Sequence, residues 1–402
     1  MLGRSVLIVG AGVAGTALAH WLLRYGFAPT IVESAPRLQR DGYIVHLWGL
    51  GYELVERMGL LPEVLRASHQ VNEVRLVGRN GKRRAGFDAG VLKSLAGGRY
   101  ISLPRSRLSA ILHCSVASHV PVRWDDAPIA LEHRAGGVWV QFRSGHAQLF
   151  DVVVGADGQH SSVRKQVFGE ARSFQHFLGF RVAAFEVEGY QPRDEGVYVS
   201  YGTPGRQVTR FALRDDRTLF LLLAADDALG RGWPERQSSA KDYLQVKFSD
   251  MGWEVPRILS AMETCEDVSL DRISQVRMPR WSRGAVALLG DAAFAPSSLA
   301  GQGAALAVIA AYVLAGELSR AVTAEGAFGR YEDVLRSFVS AKQEATTKLT
   351  GSLVSSSWFG LWFRETVTAG FNIPGVAKRV LGPCLQDALR LPEYPQARRF
   401  DD

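Results

Sequence analysis

Three stretches of the chain repeat one pattern of apolar and glycine positions. The first is the apolar, β-branched run Val6-Leu7-Ile8-Val9, broken by Gly10-Ala11-Gly12-Val13-Ala14-Gly15 and followed from Thr16 to Tyr25 by apolar residues at helical spacing (Leu18, Trp21, Leu22). Gly26 ends that helix, and a second short strand, Thr30-Ile31-Val32, ends in Glu33. The second is Asp151-Val152-Val153-Val154-Gly155-Ala156-Asp157-Gly158, with a helix capped by Ser161 or Ser162. In the third, the apolar strand from Gly284 ends in Gly290-Asp291, and Pro296 and Gly301-Gln302-Gly303 lead into an Ala-rich helix from Ala304 to Leu318. Strand, glycine turn and helix in this order predict an α/β fold with a doubly wound, Rossmann-like sheet.

Between these motifs the periodicity shifts to strands. Phe177 to Val187, Gly196 to Tyr201, Gln207 to Leu213 and Thr218 to Ala224 are apolar runs separated by turn residues, and they predict one inserted sheet that Val71 to Ala89 joins. Phe180, Phe185, Tyr198, Phe211 and Phe220 are its expected pocket-wall aromatics. A long helix from Tyr331 to Leu349 follows. The aromatic stretch Trp358 to Phe363 then predicts an amphipathic helix packed on the inserted sheet, a pattern that also suits contact with a lipid surface.

The first motif carries specific chemistry. Gly10 permits the sharp turn, Gly12 lets backbone approach a pyrophosphate, and Gly15 lets helix and strand pack closely, so the positive helix end faces the phosphates. Glu33 is placed to accept hydrogen bonds from ribose hydroxyls and to repel a 2′-phosphate, which favours FAD or NAD over NADP at this site. Asp157, at a strand's carboxyl end, faces the ligand crevice of such a sheet. Asp291 suits a polyol, and the glycine-flanked helix start behind it offers free amides and a positive dipole end.

Composition narrows the partners. The 402 residues, 47% hydrophobic and 22% charged, suit a large globular chain and exclude a disordered one. Cys114, Cys265 and Cys384 lie far apart, so neither a metal site nor a disulfide framework is expected, and the default is a reducing, cytoplasmic setting. A net charge of +7 raises nucleic acid and membrane surfaces as partners, but the arginines are scattered, and neither partner is expected. Ser5 to Leu23 is apolar enough to imitate a membrane span, which its glycines argue against. No Ser/His/Asp triad or carboxylate pair stands out; His46, His113, His160 and His176 are isolated, and the catalytic residue is unknown at this level.

Taken together, the three motifs resemble the single-component (group A) FAD-dependent aromatic hydroxylases, with the fold of p-hydroxybenzoate hydroxylase. Antibiotic-tailoring and tetracycline-inactivating monooxygenases are relatives. The resemblance covers roughly residues 4–345. It implies an FAD-binding domain of the GR2 type built from 1–70, 100–171 and 271–345, a substrate-binding β-sheet domain from 71–99 and 172–270, and C-terminal helices over 346–402. Carried over position by position, it implies that Gly10 to Gly15 line the FAD pyrophosphate and that Glu33, with Ser34 beside it, holds the adenosine ribose. Arg40 and Gly42 fall in a loop that contacts ribityl or flavin, Arg105 touches the flavin from the domain interface, and Asp157 lies near both FAD and the path of NADPH or NADH. Gly290-Asp291 would bind the ribityl chain, Pro296 would pack beside the isoalloxazine, and the amides of Gly301, Gln302, Gly303 and Ala304 would face its pyrimidine edge.

The implied reaction is hydroxylation or epoxidation of an aromatic or polycyclic small molecule with O2, through a flavin C4a-hydroperoxide, by a monomer or homodimer in secondary metabolism. Departures are Phe294 where relatives carry histidine, and Ala305 and Ala310 where they carry Asn and Asp. These leave open another flavin chemistry, halogenation or reduction, or a non-oxygenating FAD-binding partner protein. Against a tryptophan-type halogenase, no Trp-x-Trp-x-Ile motif is present.

Overall fold

The structure is a computed structural model that describes residues 3–38, 43–170, 173–226, 240–265, 267–297, 301–353, 355, 357–385 and 387–394. Arg40 and Gly42 lie outside them.

The glycine motifs terminate strands of one six-stranded sheet, ordered Ser282–Arg283, Val286–Leu288, Val152–Gly155, Ser5–Val9, Ala28–Val32, Val122–Arg123. All neighbours are parallel except the first pair. Val152–Gly155 and Val286–Leu288 are buried throughout and Ser5–Val9 from Val6 on, as expected of parallel strands covered on both faces. Register does the organising: Val9 pairs with Val32 on one side and Gly155 on the other, and Gly155 pairs with Leu288. Residues far apart in sequence, Gly10, Glu33, Ala156 and Leu289, therefore leave the sheet at one carboxyl edge.

The opening helix Val13–Arg24 packs along the helix Gly303–Arg320, which is apolar on every side. By length and mean hydropathy this second helix could cross a membrane, but 83% of its apolar window is buried, and it is the core helix behind the sheet. The following helix, Ala324–Leu353, starts earlier and ends later than its apolar spacing predicts.

A second, seven-stranded sheet runs Ser269–Val276, Gln175–Glu188, Arg217–Ala225, Arg206–Ala212, Val197–Thr203, Glu73–Val77, Arg83–Asp88. Its pairings are antiparallel except where Val197–Thr203 meets Glu73–Val77. One face is covered by the helices Ala240–Phe248 and Val255–Met262. The other meets Tyr43 and Ile44 at the start of the two-stranded ribbon formed by Ile44–Trp48 and Tyr100–Pro104. Of the last two helices, Trp358–Gly370 packs against the outer strand Arg83–Asp88, where Phe371 meets Phe87, and Pro374–Leu385 packs beside the short helix Gly90–Leu95.

Candidate active site

The opening turn is shaped by backbone contacts. Gly10 has a φ of +109°, its amide donates to the Val32 carbonyl over 2.8 Å, and a Cβ there would lie 2.6 Å from the Ala156 carbonyl oxygen. A Cβ on Gly15 would sit 2.0 Å from the Gly10 oxygen, so the helix approaches the turn only because that position lacks a side chain. A Cβ on Gly12, by contrast, would meet nothing within 4 Å. It caps the helix without a side-chain hydrogen bond and leaves the first amides open to an anion.

Glu33 is held from both sides. Its Oε2 accepts from the Ala11 amide over 2.8 Å and its Oε1 from the Ala35 amide over 2.9 Å, which fixes the carboxylate at the rim of a cavity of about 230 Å³. Gly10, Gly12, Ser34, Arg37, Arg105, Ser106, Asp126 and Asp157 also line that cavity. Arg37, Ser106 and Asp126 escape sequence reasoning: Asp126 follows Val122–Arg123, a strand too short to leave a periodic signal.

Asp157 lines the cavity, but its carboxylate is engaged in capping. It accepts from the amides of Ser162 at 2.7 Å and Val163 at 3.1 Å and from the Ser161 hydroxyl, while the Ser161 oxygen accepts from the Arg164 amide at 2.9 Å. Arg164, fully buried, donates from Nη1 to the Ala292 carbonyl and from Nη2 to the Gln159 carbonyl, at 2.9 and 2.6 Å. It thereby ties the second motif to the third.

At the third strand tip, Gly290 (φ +63°) lies against Ala14 of the opening helix; a Cβ there would stand 3.0 Å from the Ala14 Cβ. Val13 and Ala14 are both buried in that helix's first turn. Among the described residues no hydrogen bond reaches the Asp291 carboxylate, which faces the start of the helix Gly303–Arg320, 3.3 Å from where a Gly303 Cβ would be. Burial pushes the Asp291 carboxyl up, and the charge of Arg105 partly offsets this. Gln302 caps that helix with no side-chain bond, and Ala304 lies in its first turn. The Gly301 oxygen accepts from the His46 amide over 3.1 Å. Gln275 Nε2 donates to the Pro296 carbonyl over 2.8 Å and fixes the chain before the turn.

His46 is less isolated than the sequence suggests. Its Nδ1 lies 3.0 Å from the Tyr100 hydroxyl, and burial brings its pKa down to about 4, so the ring is neutral near pH 7. Phe294 packs at 4.6 Å from Trp281 in the core, where an imidazole would lose its water without gaining a partner in that contact. Ala305 lies where a Cβ on Gly51 would come within 2.8 Å, and Ala310 is buried, so small residues fit these positions.

The five aromatics expected on one pocket wall divide between two faces, which corrects that expectation. Tyr198 pairs with Phe211 and Phe211 with Leu219, so they share the face that meets Ile44, and Phe180 joins the same side through Tyr43. Phe185 pairs with Phe220 on the opposite face, beneath the helices Ala240–Phe248 and Val255–Met262. The period of two puts residues an odd number apart on opposite sides. Tyr198 stacks on Phe211 at 4.1 Å, and burial pushes its hydroxyl well above the usual phenol range. That hydroxyl and the Ser102 hydroxyl are buried near one another without completing a hydrogen bond.

These residues fit FAD. An open glycine cradle suits a pyrophosphate, Glu33 suits a ribose, and an Asp291 carboxylate lacking protein donors suits a ribityl chain. No cluster of His, Cys, Asp and Glu able to hold a metal occurs among the described residues.

Comparison with known proteins agrees. The family model described as FAD binding domain matches residues 4–343. A flavin-dependent monooxygenase from an unknown prokaryotic organism is 31% identical over 366 residues, 91% of each chain, and one from Legionella longbeachae is 30% identical over 90% of this chain and 89% of its own. The crystal structure of tetracycline destructase Tet(55) matches with a TM-score of 0.83 at 29% identity, covering 98% of this chain and 100% of that one. Klebsiella pneumoniae HpxO, complexed with FAD and uric acid, shares the fold with a TM-score of 0.78 at 20% identity, over 94% of this chain and 97% of its own. Alike in length and in fold, and matched by the family model over residues 4–343, this chain belongs to the single-component FAD-dependent monooxygenases.

Proposed function

We propose that the enzyme takes a hydride from NADPH or NADH and places one atom of O2 in an aromatic or polycyclic small molecule, the other atom leaving as water. The observation that carries this reading is the alignment of three strand tips at one sheet edge, with the Tyr198–Phe211 face meeting the adjoining ribbon. Bound FAD supplies the redox and oxygen-transfer chemistry. The protein binds, orients and dries.

Gly10 to Gly15 and Glu33 would hold the adenosine diphosphate end of bound FAD, Asp291 would accept from its ribityl hydroxyls, and the amides from Gly301 to Ala304 would supply positive potential to its redox ring. Arg105 adds a cation beside Asp291. Phe211, Leu219, Leu221 and Ile44 keep water from the substrate side. The unpaired hydroxyls of Tyr198 and Ser102 give that apolar wall a polar end for a substrate oxygen. In the same proposal, 1–70, 100–171 and 271–345 form the FAD-binding part, 71–99 and 172–270 the substrate part, and the enzyme works in a reducing, cytoplasmic setting.

The test is to purify the yellow protein and follow NADPH and NADH oxidation against a panel of phenolic and polycyclic compounds under isotopically labelled O2. Substrate-stimulated oxidation with one labelled atom in the product is expected. Nicotinamide oxidation that no compound accelerates, or a product bearing chloride, overturns the proposal.

A further inference from the structure

The helix Trp358–Gly370 turns its largest apolar side chains outward. Trp358, Phe359, Trp362 and Phe363 are 69%, 73%, 58% and 58% exposed, and their spacing sets them on neighbouring turns of one side. The helix is firmly seated by its other side. Leu361 and Thr368 are buried, Arg364 Nη1 donates to Gln207 Oε1 over 2.6 Å, and Phe371, just past its end, meets Phe87 edge-on at 5.3 Å. The aromatics are thus held in water by an anchored element, at an expense of apolar exposure that soluble surfaces avoid unless something covers it.

Charge identifies what covers it. The next turn and helix add exposed Ile373 and Val380, with exposed Lys378 and Arg379 directly before Val380. Over the described residues of 357–385 the cations are Arg364, which is turned toward Gln207, and the exposed Lys378 and Arg379, and the acid is Glu365. A symmetric contact between two copies would bring the exposed Lys378 and Arg379 toward their own kind within a chain already at +7. Tryptophan and phenylalanine bordered by lysine and arginine match the interface of a bilayer with anionic headgroups. At 13 residues the helix is too short to span one.

We propose that this face docks the enzyme peripherally on an anionic lipid surface, with the Trp358, Phe359, Trp362 and Phe363 rings at headgroup depth. The test uses FAD-loaded full-length protein in flotation assays with phosphatidylglycerol-containing vesicles and with pure phosphatidylcholine vesicles. Binding to the anionic vesicles, a blue shift of tryptophan emission and quenching by brominated lipid are expected, with affinity falling as salt rises.

Trp358→Ser with Trp362→Ser should weaken vesicle binding more than tenfold. Lys378→Gln and Arg379→Gln should each weaken it about fivefold, the equivalent of about 1 kcal/mol per cation. Flavin absorbance should be unchanged in all of them. Should the tryptophan variant fail to hold FAD, the two cation variants still decide the matter. Failure of the wild-type protein to bind anionic vesicles at low salt overturns the proposal. So does a concentration-dependent dimer that the tryptophan substitutions abolish in protein that ignores vesicles, since a second copy is then the occupant.

Discussion

The six-stranded and seven-stranded sheets place their informative residues differently. In the first, what matters happens where strands end: Val9, Val32, Gly155 and Leu288 are locked in one register, and the residues after them build the cradle. In the second it happens across the faces, where Tyr198 and Phe211 lie on one side and Phe185 and Phe220 on the other. Ends are governed by backbone and tolerate almost nothing; faces are governed by side chains and can be altered by degrees.

The sharpest break of this contrast is at Gly15. Gly15→Val drives a side chain into the Gly10 carbonyl, and the expected outcome is protein that purifies without flavin and loses more than about 3 kcal/mol in urea unfolding. A yellow protein of normal stability would remove backbone closeness as the organising feature of the first sheet.

On the second sheet, Phe220→Ala should cost about 3–5 kcal/mol by emptying a core site, yet leave FAD affinity within error in a fluorescence titration. A changed substrate profile in that variant would mean that the covered face is also a pocket wall.

Acid tests the two sides together. His20, in the opening helix, is held down to about 3 by burial and then by Arg24, and His46, on the ribbon, to about 4 by burial, both from 6.5. The unfolded chain therefore binds more protons below about pH 6.5. Stability is full above that pH and falls as pH drops toward 4 and then 3, by a few kcal/mol in all. His20→Gln should flatten the lower part of a denaturation series between pH 6.5 and 3.

Glu33→Gln should raise the FAD dissociation constant about 10- to 100-fold, as expected when charged hydrogen bonds are lost, with little change in the unfolding of the apoprotein. Tyr198→Phe should be the mildest, costing under about 1 kcal/mol of stability because its hydroxyl has no partner to lose, while raising KM for a hydroxylated substrate. An unaltered KM would take the tyrosine out of the pocket.

The same contrast explains what the amino-acid sequence discloses. The first motif is legible because Gly10 and Gly15 stand where a Cβ would collide with backbone, and the inserted strands are legible from their alternating apolar runs. Glu33 and Asp291 follow from standing at strand ends. Parity along Gln175–Glu188 separates Phe180 from Phe185, but which side faces inward depends on where the helices Ala240–Phe248 and Val255–Met262 lie, and those are far along the chain. Arg37 and Asp126 stay hidden because they line the cavity from loops and owe their place to tertiary packing. Asp157 is visible, but its carboxylate serves the helix behind it. The Trp358–Phe363 stretch is legible as an amphipathic helix, while its outward rings follow from Arg364 meeting Gln207 across 157 positions.

The buried guanidinium of Arg164 has a consequence for breeding new variants of this enzyme. Because it clasps the main-chain carbonyls of Gln159, near its own helix, and of Ala292, at a distant strand tip, the tie depends on the arginine and not on the identity of either partner. Chimeras that splice a relative's sequence between them should load flavin whichever parent each segment comes from, provided position 164 keeps its arginine.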